Sequence, residues 1–271
     1  MNKKILFTDL DGTLLNDEKK ITPGNRAAID EALEKGHSIV IATGRALSSA
    51  LIQAEQLGLI KKGCYVIAYN GSQIYDTYHK KTIYSRTLSR ELAALLFAEA
   101  DKRNLYIQTY NDTHILTEHD SPELQFYTKT VLMPYRIVEH IRDALIEEPY
   151  KFIAIDLKDH QKLLDFQAEV LPKYAETLDS FFSNDAYLEI VPSGISKGFA
   201  VQWMCDFLGI PLENSVAAGD AQNDITMIEA AHVGAVMCNA FPGIAEHGNY
   251  VTQADNNHDG IAEIIHRFIL N

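Results

Sequence analysis

Two carboxylates, Asp9 and Asp11, directly follow an apolar run, Ile5 to Thr8, that is typical of a buried strand. Two like charges this close together in a dry cleft raise the pKa of one carboxyl sharply, unless a hard divalent cation compensates them. Gly12 comes next, and a glycine lets the backbone turn sharply and approach a ligand, while the N–H groups of such a turn can bind an anion. This segment therefore predicts a site for a divalent cation and an anionic group.

A second acidic segment, Gly219-Asp220-Ala221-Gln222-Asn223-Asp224, also follows a predicted strand, Ser215 to Ala218. Asp220 and Asp224 offer oxygen ligands of the type that Mg²⁺ prefers. Either acidic segment alone could be an Asp/Gly turn whose carboxylates cap a helix. Two such rare motifs in one chain favour a functional site over a pair of turns.

Two further polar clusters, Thr43-Gly44-Arg45 and Asn70-Gly71, stand where predicted strands end. An open parallel sheet binds ligands outside the carboxyl ends of its strands, so one edge of the sheet would collect all four clusters. A left-handed Asn-Gly turn explains Asn70 equally well, and a salt bridge explains Arg45 equally well. Lys197 begins a predicted helix, where the helix dipole disfavours a positive charge. It therefore indicates a functional role only if an anion site lies beside it.

Short apolar runs alternate with helical patterns at both ends of the chain, which predicts βα units and a parallel sheet covered on both faces. In the middle, amphipathic helices alternate with strands such as His114 to Thr117, whose polar–apolar alternation is typical of an antiparallel sheet. We therefore predict an α/β domain, residues 1–83 and 189–271, interrupted by an inserted α+β domain, residues 84–188. In the outer segments the patterns also predict three helices. One has Thr22 as its N-cap, the second runs from Asn223 to Ala231, and the third runs from Ile261 to Leu270.

The chain has 271 residues, of which 46% are hydrophobic and 23% charged, the composition of an ordinary folded protein. Its net charge of −13 opposes binding to nucleic acid and to anionic membranes. No stretch approaches the roughly 18 apolar residues of a membrane-spanning helix, and no signal peptide is predicted because the first apolar run stops at Asp9. Cys64, Cys205 and Cys238 lie far apart in apolar runs, as reduced core thiols do. We expect a cytoplasmic protein without nucleic-acid or membrane partners.

Together the motifs resemble those of the haloacid-dehalogenase-like (HAD) phosphohydrolase superfamily. The four matching segments are Asp9-Leu10-Asp11-Gly12-Thr13-Leu14-Leu15, Thr43-Gly44-Arg45, Lys197, and Gly219-Asp220 with Asn223-Asp224. The insertion between the second and third motifs resembles the Cof-type subfamily with a C2B cap, which is similar to sugar-phosphate phosphatases. The resemblance implies a Rossmann-like core with an inserted α+β cap that reads the organic part of the substrate.

The resemblance also implies residue roles. Asp9 would be the nucleophile that forms an aspartyl-phosphate, and Asp11 would first protonate the leaving alkoxide and then activate water. The carboxylates of Asp9 and Asp220 and the backbone carbonyl of Asp11 would hold Mg²⁺, with Asp224 acting on the ion directly or through its ligands. The residues that would bind phosphate or substrate are Leu10, Thr43, Gly44, Arg45, Asn70, Lys197 and Asn223.

The implied function is a Mg²⁺-dependent phosphatase of small phosphorylated metabolites, with sugar phosphates as the foremost class. A phosphomutase would use the same Asp9-phosphate but retain a bisphosphate, and a ligand sensor on the same scaffold would bind without turnover. A dehalogenase is disfavoured, because carbon–halogen displacement needs neither Asp11 as an acid nor Mg²⁺ at Asp220. The sequence leaves the physiological substrate and the number of subunits open.

Overall fold

The structure is a computed structural model that describes residues 2–131 and 133–271. The chain forms two compact units. One, the core unit, comprises the segments up to Gly44, Ala50–Tyr84 and Ser196–Asn271; the other, the inserted unit, comprises Arg45–Ser49 and Ser85–Ile195. Among the described residues, no helix combines the length and the apolar character that a membrane crossing requires.

The strands, numbered along the chain, are β1 (Ile5–Thr8), β2 (Ser38–Ala42), β3 (Cys64–Ala68), β4 (Gln73–Asp76), β5 (Lys81–Ser85), β6 (Tyr106–Tyr110), β7 (Ile115–Thr117), β8 (Tyr135–Ile137), β9 (Phe152–Ile155), β10 (Leu178–Asn184), β11 (Tyr187–Pro192), β12 (Ser215–Gly219), β13 (Val233–Val236) and β14 (Tyr250–Val251). The α-helices are α1 (Pro23–Glu34), α2 (Leu47–Gln56), α3 (Arg90–Asp101), α4 (Pro122–Val131), α5 (Ile141–Ala144), α6 (His160–Glu169), α7 (Lys197–Leu208), α8 (Ile225–Ala230) and α9 (Gly260–Ile264).

The core unit is built on a sheet with the strand order β14-β13-β12-β1-β2-β3-β4-β5. From β14 to β3 every neighbouring pair is parallel, and β4 then returns antiparallel beside β3. The predicted α/β class is therefore confirmed. Chain order reverses at β1, which pairs with β2 on one side and with β12 on the other, and such a reversal opens a crevice at the carboxyl ends of the two strands.

Helix α7 covers one face of this sheet. Ala200 and Met204 of α7 pack into one buried cluster with Phe7 of β1 and Val40 of β2. These side chains are fully buried, so the apolar stripe of the helix fixes its distance from the strands that carry the acidic segments. Lys197, the first residue of α7, is thereby placed by the packing of the whole helix.

The inserted unit has its own sheet, with the strand order β10-β11-β9-β6-β7-β8. Its pairs are antiparallel except β7 and β8, which run parallel, so the predicted antiparallel pattern holds for most of the sheet but not at this edge. Leu96 of α3 and Phe166 of α6 join Phe152 and Leu188 of the sheet in one buried cluster. Because β11 extends to Pro192, this sheet continues beyond residue 188, the last residue of the predicted insertion.

Helix α1 is not capped by the side chain of Thr22, contrary to the prediction. The hydroxyl of Thr22 instead donates a hydrogen bond to Asp259 Oδ1 over 2.5 Å, and the backbone N–H of Asn25 donates to the same oxygen over 3.0 Å. A carboxylate 237 residues away along the chain therefore accepts at the helix N-terminus, where negative charge is favourable. Sequence near the helix start carried no signal of this long-range cap.

Three other local predictions need correction. A 3₁₀ turn, Gln222–Asp224, precedes α8, which begins at Ile225 and not at Asn223. The closing helix is α-helical only through Ile264 and continues as a π-helix over Ile265–Ile269. Cys64 and Cys205 are buried as predicted, but Cys238, two residues after the end of β13, is exposed.

Candidate active site

The two acidic segments lie side by side where β1 and β12 end. Asp9 follows β1, and its backbone N–H donates to the carbonyl of Ala218 over 3.0 Å, which extends the parallel pairing by one residue. Asp220 follows the last residue of β12. Both side chains are buried at the point where strand order reverses, which is the edge that the sequence predicts for the site.

Lys197 places a fully buried ammonium between two carboxylates. Its Nζ lies 2.6 Å from Asp9 Oδ1 and 2.5 Å from Asp224 Oδ1. Gly198 allows this approach, because a Cβ there would lie 2.3 Å from the backbone oxygen of Thr226 and would force α7 away from α8. Burial alone would lower the pKa of Lys197, but the charges of Asp224 and Asp9 raise it above its ordinary value.

Asp224 organises the acidic loop and holds Lys197 at the same time. Its Oδ2 accepts hydrogen bonds from the backbone N–H groups of Asp220 and Ala221, each over 3.0 Å, while its Oδ1 accepts from Lys197. A carboxylate offers about four acceptor positions, and these three bonds occupy most of them. Gly219 is needed for this geometry, since a Cβ there would lie 2.4 Å from the Asp224 side chain.

Asp220 is held by the first acidic segment. Its Oδ1 accepts a hydrogen bond from Thr13 Oγ1 over 2.7 Å. Gly12 has a φ of +81°, and a Cβ on it would lie 2.5 Å from Asp220 Oδ2, so a glycine is required at this close approach. Burial first, and then the charge of Asp224, raises the pKa of Asp220 to about 7.

Three buried carboxylates therefore lie close together, and two of them, Asp9 and Asp224, contact the buried ammonium of Lys197. One oxygen each from Asp9, Asp220 and Asp224 lies within 4.8 Å of the others. Burial raises the pKa of Asp9 well above its ordinary value, and the charges of Asp224 and Asp220 add to this effect although Lys197 opposes it. An all-oxygen cluster with uncompensated negative charge is the donor set that a hard divalent cation requires, so these residues fit Mg²⁺.

Asp220 should make the stability of the metal-free protein depend on pH. Its pKa is about 7 in the folded protein and about 4 in an unfolded chain, so in this window the folded state holds a proton that the unfolded state has released. The free energy of unfolding must therefore fall as the pH rises towards 7. In chelator, we expect the melting temperature to fall more between about pH 5.5 and about pH 7.5 in the wild type than in Asp220→Asn. Excess Mg²⁺ should remove this difference, whereas parallel pH profiles in chelator would contradict the prediction.

The polar clusters at Thr43 and at Asn70 meet each other, and Asn70 contacts the second acidic segment. The backbone N–H of Asn70 donates to the carbonyl of Thr43 over 3.0 Å, and Asn70 Oδ1 accepts from Asn223 Nδ2 over 3.2 Å. Asn70 has a φ of +57°, so it forms the left-handed turn that one interpretation predicted, and its amide also faces Asn223. Gly44 packs tightly against this amide, because a Cβ on Gly44 would lie only 3.0 Å from Asn70 Oδ1.

Three other predicted site residues, Leu10, Asp11 and Arg45, do not belong to the cluster of buried carboxylates. The side chain of Leu10 is fully buried, so only its backbone is available to a ligand. Asp11 does not join the buried carboxylates: its side chain is 38% exposed and its Oδ1 lies 2.8 Å from Lys19 Nζ. Arg45 belongs to the inserted unit.

Sequence reasoning assigned no role to three residues that contact the site. Thr13 binds Asp220, Lys19 binds Asp11, and Asn239 Nδ2 donates to the carbonyl of Gly12 over 2.8 Å. Thr13 stands inside the first motif and Asn239 follows β13 at the same sheet edge, so their positions carried a signal. Lys19, in a polar loop, carried none.

The chain is similar to known hydrolases and phosphatases in sequence and in fold. A family model described as haloacid dehalogenase-like hydrolase matches residues 6–265. The 5-amino-6-(5-phospho-D-ribitylamino)uracil phosphatase YcsE of Bacillus subtilis (strain 168) is 32% identical over 271 residues, which cover 98% of this chain and 96% of that protein. The crystal structure of a haloacid dehalogenase-like hydrolase from Bacteroides thetaiotaomicron is 30% identical with a TM-score of 0.88, covering 98% of this chain and 99% of that one. The HAD subclass IIB sugar phosphatase BT4131 shares the fold, with a TM-score of 0.80 at 23% identity over 98% of this chain and 99% of that one.

Proposed function

We propose a substrate class and a mechanism for this chain, which belongs to the haloacid dehalogenase-like hydrolases and is a phosphatase. The proposed reaction is the hydrolysis of small phosphorylated metabolites, foremost sugar phosphates, with Mg²⁺ and through an aspartyl-phosphate on Asp9. The observation that carries the proposal is the position of the Lys197 ammonium between Asp9 and Asp224, with Asp220 beside them. A single cation beside a buried nucleophile suits the transfer of a dianionic phosphoryl group.

The proposed metal ligands are the carboxylates of Asp9 and Asp220 and the backbone carbonyl of Asp11. Asp224 is better suited to positioning, because its oxygens already accept from Lys197 and from two backbone N–H groups. When bound, Mg²⁺ would offset negative charge on the transferring phosphoryl group. The absence of a Cβ on Gly12 lets the Asp220 carboxylate lie close to the end of β1, beside Asp9.

In the first proposed step, an oxygen of Asp9 forms a bond to phosphorus while the bond from phosphorus to the leaving oxygen breaks. Asp11 gives its proton to that oxygen, so the alcohol departs neutral. In the second step Asp11 takes a proton from water as the water attacks phosphorus, and the bond to Asp9 breaks to release inorganic phosphate. The exposure of the Asp11 side chain outside the buried cluster suits a group that exchanges protons with substrate and water.

Lys197, Thr43, Asn70 and Asn223 are the proposed phosphate-binding groups. Asn70 supports this proposal directly, because its Nδ2 is buried and has no hydrogen-bond partner among the described residues. A buried donor without an acceptor destabilises the fold by about 1 to 3 kcal/mol, and a phosphate oxygen would satisfy it. Lys197 would offset the charge that develops on the phosphoryl oxygens in the transition state.

The proposed substrate class rests on the relatives. YcsE, by its name, acts on a phosphorylated ribitylamino compound, and its similarity to this chain includes residues 84–188 because the alignment covers 98% of the chain. We therefore extend to this protein a preference for phosphate esters of small molecules that carry several hydroxyl groups. Residues 84–188 are the proposed cap that selects among them.

The test of the proposed function is release of inorganic phosphate from a panel of sugar phosphates, with pyridoxal phosphate and flavin mononucleotide as members of other classes. We expect turnover of at least one sugar phosphate without a bisphosphate activator. Dependence on a bisphosphate activator would indicate a phosphomutase instead. Binding without any release of phosphate would indicate a ligand sensor.

Metal dependence separates the proposed roles of Asp220 and Asp224. Excess chelator should silence phosphate release, and Mg²⁺ should restore it. We expect Asp220→Asn to raise the Mg²⁺ concentration for half-maximal rate by more than about 100-fold, and Asp224→Asn by about 10- to 100-fold, the range typical of groups that act through a ligand. Full activity in chelator would refute the metal, and a larger shift in Asp224→Asn than in Asp220→Asn would make Asp224 the direct ligand.

A further inference from the structure

Lys19 is held beside Asp11 by a loop whose conformation is unusual for a lysine. Its φ is +60°, in the left-handed region that side chains other than glycine, asparagine and aspartate rarely adopt. The Lys19 Nζ lies 2.8 Å from Asp11 Oδ1. An unfavourable backbone conformation persists only where surrounding contacts impose it, so those contacts indicate how firmly the ammonium is placed.

The loop is closed by Asn16. The side-chain oxygen of Asn16 accepts the backbone N–H groups of Glu18 over 3.1 Å and of Lys20 over 2.9 Å. The backbone of Asn16 is bonded in the same way, since its N–H donates to the carbonyl of Lys20 and its carbonyl accepts the N–H of Lys19, each over 2.9 Å. These four bonds fix the turn that carries Lys19.

The closed turn is also fastened to a distant segment. Asn256 Nδ2 donates to the carbonyl of Leu15 and to Asp17 Oδ1, each over 3.1 Å. Asn257 exchanges two bonds with Asp17, one from the Asp17 N–H and one from its own side-chain amide to Asp17 Oδ2, each over 3.2 Å. The turn is therefore fixed to the same body that holds the acidic segments, and Lys19 is not on a free loop.

We propose that Lys19 is a positioning residue that acts through Asp11: its ammonium holds the Asp11 carboxyl group outside the cluster of Asp9, Asp220 and Asp224, where it can reach the leaving oxygen. This inference rests on the proposed function, because it needs Asp11 to be the proton donor. The carboxylates of the buried cluster gather around a cation site, and a fourth carboxylate drawn into it would no longer deliver a proton. The Lys19 ammonium provides an attraction that draws the Asp11 carboxyl group away from this cluster.

The expected effect is modest but has a specific signature. Exposed ion pairs contribute up to about 1 kcal/mol, which corresponds to about 3- to 5-fold in rate. The quantity to measure is kcat/KM, because it covers the steps up to departure of the leaving group. The leaving group of glucose 6-phosphate is an alkoxide that needs a proton. The leaving group of p-nitrophenyl phosphate is a stable phenolate that does not. A loss that acts through Asp11 should therefore fall on the sugar phosphate.

The experiment compares Lys19→Asn with Lys20→Asn. Asparagine tolerates the left-handed backbone, so Lys19→Asn removes the ammonium without straining the turn. Lys20 is the matched control, because it is in the same turn but pairs with Glu18 over 3.0 Å instead of Asp11. We expect Lys19→Asn to lower kcat/KM about 3- to 5-fold for glucose 6-phosphate and to leave p-nitrophenyl phosphate nearly unchanged. Lys20→Asn should be close to wild type with both substrates.

Two further variants complete the test. Lys19→Arg keeps the charge and should restore most of the loss. In an Asp11→Asn background, Lys19→Asn should cause no additional loss of kcat/KM with glucose 6-phosphate, the substrate on which the loss falls when Asp11 is present. Equal losses for both substrates, an equal loss in Lys20→Asn, an additional loss in the Asp11→Asn background, or no loss at all would each overturn the role of Lys19. The proposed function fails separately, if the wild type releases no phosphate from any sugar phosphate of the panel.

Discussion

Asp9→Asn should abolish phosphate release while leaving the protein folded. The side-chain amide cannot attack phosphorus, and removal of an enzyme nucleophile lowers kcat by about 10⁴-fold or more. Acid quenching of the wild type during turnover should trap a phosphorylated chain, visible by intact-mass spectrometry, and the variant should show none. Peptide mapping should place the phosphate on Asp9.

Stability gives this prediction its control. The pKa of Asp9 is raised by burial and by neighbouring carboxylates, so its ionised form is unfavourable in the metal-free site. Replacement by a neutral isostere should therefore leave the melting temperature in chelator unchanged or raise it. Retained turnover in Asp9→Asn would refute the nucleophile, and a large fall in melting temperature would mean that lost activity reports unfolding instead of chemistry.

The proximity of the two acidic segments was predictable because it follows from sheet topology. Asp9 and Asp220 each follow a buried apolar run, and neighbouring parallel strands end at a common edge, so their proximity required no knowledge of side-chain contacts. The fold class was predictable for the same reason, since apolar periodicity reports which face is buried. Lys197 had no such local signal, and only the resemblance to a family pointed to it.

Contacts made by polar side chains in loops could not be predicted from the sequence. Lys19 reaches Asp11 through a turn that Asn16 closes, and Asp259 caps a helix 237 residues away along the chain. Neither contact leaves a periodic pattern in the sequence, because a single polar residue in a loop is compatible with many partners. The exposure of Cys238 was missed because an apolar run does not show which of its residues face solvent.

Lys197→Met should reduce kcat by about 10³-fold or more and also destabilise the protein. The methionine has a similar length and no charge, so Asp9 and Asp224 would lose a buried ammonium at 2.6 Å and 2.5 Å. Breaking a buried ion pair by removal of one partner costs about 3 to 5 kcal/mol of folding free energy. Loss of a cation that offsets phosphoryl charge in the transition state lowers kcat by about 10³- to 10⁵-fold in related chemistry.

The inserted unit offers a matched control for the destabilisation. Lys151 is also fully buried, and its Nζ lies 2.7 Å from Glu189 Oε2, so Lys151→Met removes an equally buried ammonium from an ion pair outside the candidate active site. Thermal melting should show losses of similar size in the two variants, whereas kcat should fall far more in Lys197→Met. Comparable kcat in the two variants would mean that Lys197 acts only on stability.

Lys197→Arg keeps the test decisive if the methionine variant does not fold. Arginine preserves the positive charge between Asp9 and Asp224, so it should retain more of the melting temperature than Lys197→Met. Its planar guanidinium cannot reproduce a compact ammonium at 2.6 Å from Asp9 Oδ1 without moving α7, because Gly198 already packs against the backbone of Thr226. We therefore expect a folded protein with a large loss of kcat, and near wild-type turnover in Lys197→Arg would show that charge alone, without this geometry, suffices for phosphoryl transfer.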